Sequence, residues 1–392
     1  MPPTTASSEF YMRRYLVKTL LAALTMVSLT SCTPEPPLHL YNAREVVMDI
    51  PLVDLNLEIY WDYDIDTDWQ AEWYYGWDSE DIELWGDIGY TPPSVFELRR
   101  YYTGNVPMAP HTTVIESEVR GTHFQERFEW GFWDILCWNQ VHTLDGIRSI
   151  IFDEESSLDS VTVYTNQTMR SARYNAPRFA YAFYAPEPLF AVYQQGIDIN
   201  ESLEGFTFDP VRNIYVKRLD AVLRPVTYIY LTQVILHNNR GRVVGIDANA
   251  CLSGMARSTT LNSGRAGSDA ITVDYQIRMK QNCKYRGEQV DIIGGRLLTF
   301  GICNLKANNV SRADEVDDPY HHYMDVNMQF NNGMDSTLVF DVTQQVRRQY
   351  KGGVITIELD MDSVPIPQRS GGSGFDVEVM PIEDGGTHIF EM

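Results

Sequence analysis

Hydrophobic and polar residues alternate with a period of two along much of the chain. Val53, Leu55, Leu57 and Ile59 share one parity, and Asp54, Asn56 and Glu58 occupy the other. Met324, Val326, Met328 and Phe330 alternate with Tyr323, Asp325, Asn327 and Gln329, and Ile355, Ile357, Leu359 and Met361 with Thr356, Glu358 and Asp360. Phe375, Val377 and Val379 repeat the pattern near the end. Successive side chains of a strand point to opposite faces, so these runs predict half-buried antiparallel strands. Turn signals such as Asn331-Asn332-Gly333 and Lys351-Gly352-Gly353 punctuate them. Only Val342 to Tyr350 reads as a short helix, and Val226 to His237 reads as one long strand or a bent pair. Little alternation survives around Pro186, Pro188, Gly196, Gly205 and Pro210, which suggests a boundary. The pattern predicts an all-β chain with two antiparallel β-sandwich domains, 45–185 and 186–392. The second includes a Gly-rich link, Ser370-Gly371-Gly372-Ser373-Gly374, and a final strand.

Composition agrees with this. The chain has 392 residues, 44% hydrophobic and 21% charged, as globular proteins do. Aromatics reach 12%, with 23 tyrosines, which suits strands better than helices. Lys and Arg number 31 against 53 Asp and Glu, a net charge of -22. Such a surface repels phosphate backbones and excludes nucleic acid as the leading partner.

The N-terminus carries an address. Arg13, Arg14 and Lys18 precede a short apolar stretch, Thr19 to Thr30, closed by Leu29-Thr30-Ser31-Cys32. A basic start, a short apolar core and a small-residue cleavage site describe a secretory signal over 1–31. The core is shorter than the roughly 20 apolar residues a membrane span needs. Leu-Thr-Ser-Cys resembles the bacterial lipobox, in which the cysteine is lipidated and becomes the mature N-terminus. That marks Cys32 as the lipidation site and the membrane as a partner through the lipid. Residues 32–44, with Pro34, Pro36 and Pro37, read as a stiff tether. Cys137, Cys251, Cys283 and Cys303 remain. They could form up to two disulfides or stay as buried thiols, and spacing alone does not decide.

Catalytic signatures are missing: there is no H-E-x-x-H, no phosphate-binding loop and no G-x-S-x-G. The reading assigns no catalytic residue, no metal site and no cofactor. His321-His322 lies near Asp317 and Asp318, but adjacent histidines on a strand face opposite ways, so a solvated loop is the expectation. The segment Glu58 to Asp87 is unusual, with eleven acidic residues, no basic ones and five of the eight tryptophans, Trp61, Trp69, Trp73, Trp77 and Trp85. Asp62, Asp64, Asp66 and Asp68 alternate but lack the glycine and glutamate of a calcium loop. Trp69, Trp73 and Trp77 are candidates for a glycan-stacking platform, since flat amphipathic rings suit sugar faces, while core packing would also explain them. Ser253-Gly254 suits a tight turn closing a hairpin, and Asp341 and Thr343 suit capping of the predicted helix. Asp159-Ser160-Val161, Asp335-Ser336-Thr337 and Asp362-Ser363-Val364 match a short pattern resembling O-glycosylation sites of exported Bacteroidetes proteins.

Several motifs together resemble a known family. They are Leu57-Glu58-Ile59-Tyr60-Trp61-Asp62, the strand Trp130 to Asn139, Ala250-Cys251-Leu252-Ser253-Gly254-Met255-Ala256, Leu298-Thr299-Phe300-Gly301, Phe340-Asp341-Val342-Thr343, Val364-Pro365-Ile366-Pro367, Gly371-Gly372-Ser373-Gly374-Phe375 and Phe390-Glu391-Met392. In order, they resemble a Bacteroidales lipoprotein family of unknown function (DUF fifty-one-nineteen), over nearly the whole mature chain. Pro381-Ile382 departs from it, standing where a tryptophan is common. That family is distantly similar to FimB/Mfa-type fimbrial anchor and adhesin lipoproteins. The resemblance implies two transthyretin-like β-sandwich domains and a non-enzymatic, lipid-anchored cell-envelope protein, fimbria-associated or adhesive. Its expected place is the outer membrane, surface-exposed, with pilin-like subunits as partners. The alternative is a glycan-binding surface lipoprotein using the Trp-rich segment 58–87, with a surface glycan as partner.

Overall fold

The structure is a computed structural model, and it describes residues 52–59, 72–141, 148–153, 161–171, 181–305, 318–368 and 378–381. The signal, Cys32, the tether, Trp61, Trp69, Asp62 to Asp68, Asp159-Ser160, the Gly-rich link and the last eleven residues lie outside the described residues. Nearly all the regular structure is β, as the alternation predicts.

The first group of strands comprises β1 (Leu52–Ile59), β2 (Val95–Gly104), β3 (Thr113–Arg120), β4 (His123–Arg127) and β5 (Gly131–Asn139). Helix α1 (Ser79–Trp85) lies between β1 and β2. Next along the chain come β6 (Ile150–Asp153), β7 (Thr162–Thr165), β8 (Gln167–Ser171) and β9 (Tyr181–Tyr184). Then follow β10 (Phe190–Ile199), β11 (Phe206–Asp209) and β12 (Ile214–Pro225). One sheet has the order β3-β2-β5-β10-β12-β1-β4, with β11 beside β12. Strands β3 and β4 are its opposite edges, yet only two residues join them, so the sheet folds over into two layers. Phe96, Leu98, Ile135, Cys137, Phe190, Ile199, Ala221 and Leu223 fill the space between the layers. Strands β10 and β12 join the layers at one corner, where Phe190 pairs with Pro225.

The chain then continues through β13 (Tyr228–His237), β14 (Val243–Ala256), β15 (Ser258–Thr260), β16 (Arg265–Ala266), β17 (Ala270–Tyr285) and β18 (Glu288–Thr299). After these come β19 (Tyr323–Phe330), β20 (Asp335–Asp341), helix α2 (Thr343–Arg348), β21 (Gly353–Asp360) and β22 (Glu378–Pro381). The second large sheet has the order β21-β13-β18-β17-β14-β19-β20-β22, with β8 and β9 beside β17. Strand β17 serves two neighbours in turn. Ala270 to Gln276 pair with β14, and Ile277 to Tyr285 pair with β18. A small sheet, β16-β15-β7-β6, adds Ile150 and Val163 to the main core. The alternating residues Met324, Val326, Met328, Phe330, Ile355, Ile357, Leu359 and Met361 all face that core.

Several expectations are corrected. Strands β1 and β21 pair in parallel, with β12 and β13 respectively, and not only antiparallel. Alternation reports burial of one face and carries no sign of strand direction. Val226 to His237 contains one continuous strand, β13. Strands β8 and β9, ending at Tyr184, lie beside β17 in the second sheet, and the strands from Phe190 to Pro225 complete the first, so the chain passes between the sheets near residue 185 and again after Pro225. The predicted helix is confined to Thr343–Arg348, and only part of its capping forms. Asp341 Oδ1 accepts from Thr343 N at 3.0 Å, whereas Thr343 Oγ1 accepts from His322 N at 2.9 Å. All four described cysteines are free thiols, three of them buried. Burial raises the Cys137 thiol pKa and pushes that of Cys303 up to about 12, which keeps both protonated and unreactive.

Ser253-Gly254 does not close a hairpin. It sits inside β14, where the register against β17 shifts between Ser253 and Met255. Gly254 has φ 85°, and a Cβ there would lie 2.5 Å from the His321 carbonyl oxygen and 2.7 Å from His322 Nδ1. A bulge needs a residue that tolerates positive φ, and the neighbouring backbone leaves room only for hydrogen. Gly254→Ala is expected to cost roughly 2–3 kcal/mol, read as a lower urea midpoint at unchanged m-value.

Candidate functional site

From Glu72 onward, the acidic, tryptophan-rich segment folds as a strap across the second sheet. Asp78-Ser79-Glu80-Asp81 is a capping box at the start of α1. Asp78 Oδ1 accepts from the backbone N–H groups of Glu80 and Asp81 at 3.0 Å, and Asp81 Oδ2 accepts from Asp78 N at 2.9 Å. The pattern was present in the sequence, but an acid-rich run obscured it.

Asp81 also anchors the strap. Its side chain is fully buried, and it takes Arg278 Nη1 at 2.5 Å, Lys280 Nζ at 2.5 Å and the Tyr75 hydroxyl at 3.2 Å. Arg278 and Lys280 are two apart on β17, so both side chains rise from one face. Arg278 reaches Glu80 as well, and Lys280 lies 4.1 Å from the centre of the Tyr75 ring. Two cations on β17 therefore pair with three of the strap's carboxylates, Asp78, Glu80 and Asp81. Burial and the Asp81 carboxylate push the Tyr75 phenol upward, holding it neutral as a hydrogen-bond donor.

Beneath the strap, Trp73 and Tyr75 pack on Leu231, Ile235, Ile292 and Val354. Each buried ring contributes about 1.5–3 kcal/mol by area. Gly294 of β18 makes room for Tyr75, because a Cβ there would overlap the ring. Gln233, wholly buried in β13, accepts from Tyr74 N at 2.9 Å and donates to the Glu72 carbonyl at 2.7 Å, acting like a short piece of strand. Further along, Arg296 donates to the carbonyls of Ile88 and Gly89, and Tyr90 donates to that of Thr227 at 2.6 Å.

These contacts decide where the candidate sugar-stacking residues stand. Trp73 is in the core, with Nε1 donating to the Gly76 carbonyl at 2.9 Å. Trp77 is half-buried, its ring centre 5.2 Å from that of Trp85, and its Nε1 donates to the Gly86 carbonyl. Trp69 lies outside the described residues. Trp73 and Trp77 thus do not form one open platform; the surface available is the outer side of the Trp77–Trp85 pair.

His322 is buried rather than part of a solvated loop. Its Nε2 lies 2.6 Å from Asp318 Oδ2 and its Nδ1 3.2 Å from the Ser253 carbonyl. Its backbone carbonyl accepts from Val342 N at 2.9 Å, so it latches the start of α2 to the β14 bulge. His321 is exposed, 3.6 Å from Asp341. Among the described residues no cluster of three or more His, Cys, Asp or Glu is placed to hold a metal ion.

A cleft of about 450 Å³, which the sequence reading missed, lies between β2, β3 and β5 on one side and Arg148, Ile150 and Phe152 on the other. Arg99 lies over the Trp138 ring at 5.3 Å and pairs with Glu116 at 2.9 Å. Gln140 donates to Glu97 and, at 3.2 Å, to Glu118. Phe152 stacks on Trp138 with centres 6.0 Å apart. Rings beside carboxylates, an amide and guanidinium groups form an amphipathic lining sized for a small polar ligand. The alternating Glu97-Leu98-Arg99 and Trp138-Asn139-Gln140 were its sequence signal, but only strand pairing brings them together.

No family model and no curated protein matches the chain. Among solved structures it is similar to a candidate adhesin from Bacteroides ovatus, at 12% identity and a TM-score of 0.45, covering 81% of this chain and 94% of that one. A candidate adhesin from Bacteroides thetaiotaomicron gives 10% identity and a TM-score of 0.43, covering 81% and 94%. The fimbrial anchor protein Mfa2 from Porphyromonas gingivalis gives 9% identity and a TM-score of 0.37, covering 78% and 90%. No helix among the described residues is long and apolar enough to cross a membrane.

Removing the anchor carboxylate should release the strap. Asp81→Ala is expected to lower stability by about 2–3 kcal/mol, less than for a fully enclosed pair because Arg278 and Lys280 retain some water. The readout is a urea titration followed by tryptophan fluorescence. Acid should act in the same direction. The Lys280 ammonium, together with the α1 backbone N–H groups, holds the Asp78 carboxyl below its ordinary value of 3.8. Its stabilisation is therefore present above that value and lost as pH falls below it. Fluorescence recorded from about pH 5 to about pH 2 should report the strap loosening ahead of global unfolding.

Proposed function

We propose that this chain is a non-enzymatic, lipid-anchored protein of the cell envelope, adhesive or fimbria-associated and displayed at the outer membrane. One structural observation carries the non-enzymatic side of the reading. The acid and base side chains that a catalyst would employ are held in structural roles. Asp81 clamps a strap, Asp318 and His322 latch a helix, and Asp134 accepts from Gly196 N and Tyr193 while lying 2.9 Å from His111. What remains exposed is strand edge, loop tip and cleft, which suits binding more than turnover. The lipobox-like Leu29 to Cys32 supports the anchoring, and the ordered motifs, which resemble a Bacteroidales lipoprotein family distantly similar to fimbrial lipoproteins, support the partner class.

Glycan binding is the second reading, favoured by the Trp138–Phe152 cleft and the exposed side of Trp77. Trp73→Ala is unsuited to testing it, because that ring is core. Trp77→Ala and Phe152→Ala, each checked for an unchanged melting temperature, should lose retention on immobilised surface glycan. Retention equal to the parent protein in both would remove this reading.

The leading reading is tested in source cells by growth with an alkyne fatty acid and by chemical cross-linking. The chain should carry the lipid label, Cys32→Ala should lose it, and pilin-like subunits should be captured with the parent protein. A labelled chain that captures no envelope protein would refute the fimbrial part, and an unlabelled chain would refute the anchor.

A further inference from the structure

The first sandwich has two chemically different ends, and strand register identifies them. At one end Phe96 pairs with Asn139, Ala191 with Trp138 and Phe190 with Pro225. The chain leaves for the second sheet from this end, since β13 begins directly after Pro225. At the other end Gly104 pairs with Phe132, Ile199 with Gly131, and Leu52 with both Val216 and Arg127. The described chain begins there. The lead from Cys32 and the second sheet are thus attached at opposite ends of the same sandwich.

The end that receives the lead carries unusual loop tips. The β2–β3 connection starts Gly104-Asn105-Val106-Pro107-Met108-Ala109-Pro110, without a charged residue. Val106 is 62% and Met108 80% exposed. At the β11–β12 hairpin tip Val211 is 92% exposed, with the Phe208 and Tyr215 rings paired behind it at 5.1 Å. Singly, exposed valines are unremarkable; on two tips at the same end of a sandwich they give that end several apolar points exposed to water. The neighbouring 200–205 turn adds Glu201 and Glu204, while Arg212 is held by Asp209. The end therefore has apolar points with slight negative charge around them.

We infer that this end of the first sandwich is a membrane-facing surface, whose Val106, Met108 and Val211 tips enter the interface of a zwitterionic lipid layer. The inference rests on the proposed lipidation of Cys32. About twenty residues separate Cys32 from Leu52, a reach of at most about 70 Å, and they join the body at the end bearing the tips. A lipid anchor alone permits every orientation within that reach. Apolar tips beside the attachment point favour one of them, because entering the interface removes their side chains from water. The charge of -22 and the two glutamates oppose an anionic surface, so neutral headgroups are the partner. The second sheet, attached at the far end, is then held away from the lipid.

The test uses full-length lipoprotein purified from source cells in detergent and reconstituted into phosphatidylcholine vesicles. An environment-sensitive dye is placed on Val106→Cys, Val211→Cys and, as a control on the second sheet, the exposed Val244→Cys, with the parent protein as blank for its native thiols. The emission at 106 and 211 should shift to the blue and be quenched by nitroxide-labelled lipid, while 244 stays unchanged. Adding anionic lipid should reduce the shift. Flotation of the vesicles reports anchoring separately. Protein that floats with dyes at 106 and 211 behaving as at 244 overturns this inference and leaves the anchor standing. Protein that does not float overturns both.

Discussion

Strand β17 belongs to two layers at once, and the second half of the molecule is arranged around that requirement. Its first half hydrogen-bonds to β14 and its second half to β18, so the sheet turns over within one strand and the core closes without a separate linker. A strand that crosses from one layer to the next exposes its outer face near the crossing. Here that face carries Arg278 and Lys280, cations that a sheet exposes readily but that also invite a partner. The strap supplies one from the same chain. Asp81 receives both cations and the Tyr75 hydroxyl, and the rings of Trp73 and Tyr75 cover the apolar remainder. The capping box and the anchor share one carboxylate, so helix formation and docking are coupled: α1, only seven residues long, gains its stability from the sheet beneath it.

The strands were legible because burial of one face writes a period of two into the residues that form it. Ile355 to Met361 follow that rule throughout, and Met324 to Phe330 do so except at the buried Asp325. Direction and partner are not written there. Parallel β1 and β21 share the alternation of antiparallel strands, and the change of sheet after Pro225 depends on long-range pairing. Gly254 illustrates the same limit. Serine followed by glycine is common in turns, and only the register shift and the nearness of His321 show that a bulge was required.

The candidate site was legible in outline and misread in detail. A concentration of tryptophan and acid at 58–87 correctly marks a segment with a special role, but composition cannot say which rings are turned inward. Trp73 is buried where Gln233 draws in the backbone on either side of it, and Tyr75 where Gly294 opens space for its ring, and both partners are more than 150 residues away. The His321-His322 pair shows the reverse. Both residues precede β19 rather than lie in a strand; His321 is exposed, while the buried His322 meets Asp318 and the Ser253 carbonyl, partners that no local pattern reveals.

Charge is distributed unevenly enough to give the molecule a polarity. The strap's carboxylates at 78, 80 and 81 meet cations on β17, and the cleft carboxylates Glu97, Glu116 and Glu118 meet Gln140 and Arg99. Much of the acid in these two places is thus committed to internal partners. The 104–110 loop, by contrast, has no charge to commit. A protein dispersed freely in water gains nothing by placing an uncharged, exposed loop beside its own leading segment. The arrangement becomes economical if that segment ends in lipid, because a loop lacking charge is then the one that meets a medium in which charge is costly.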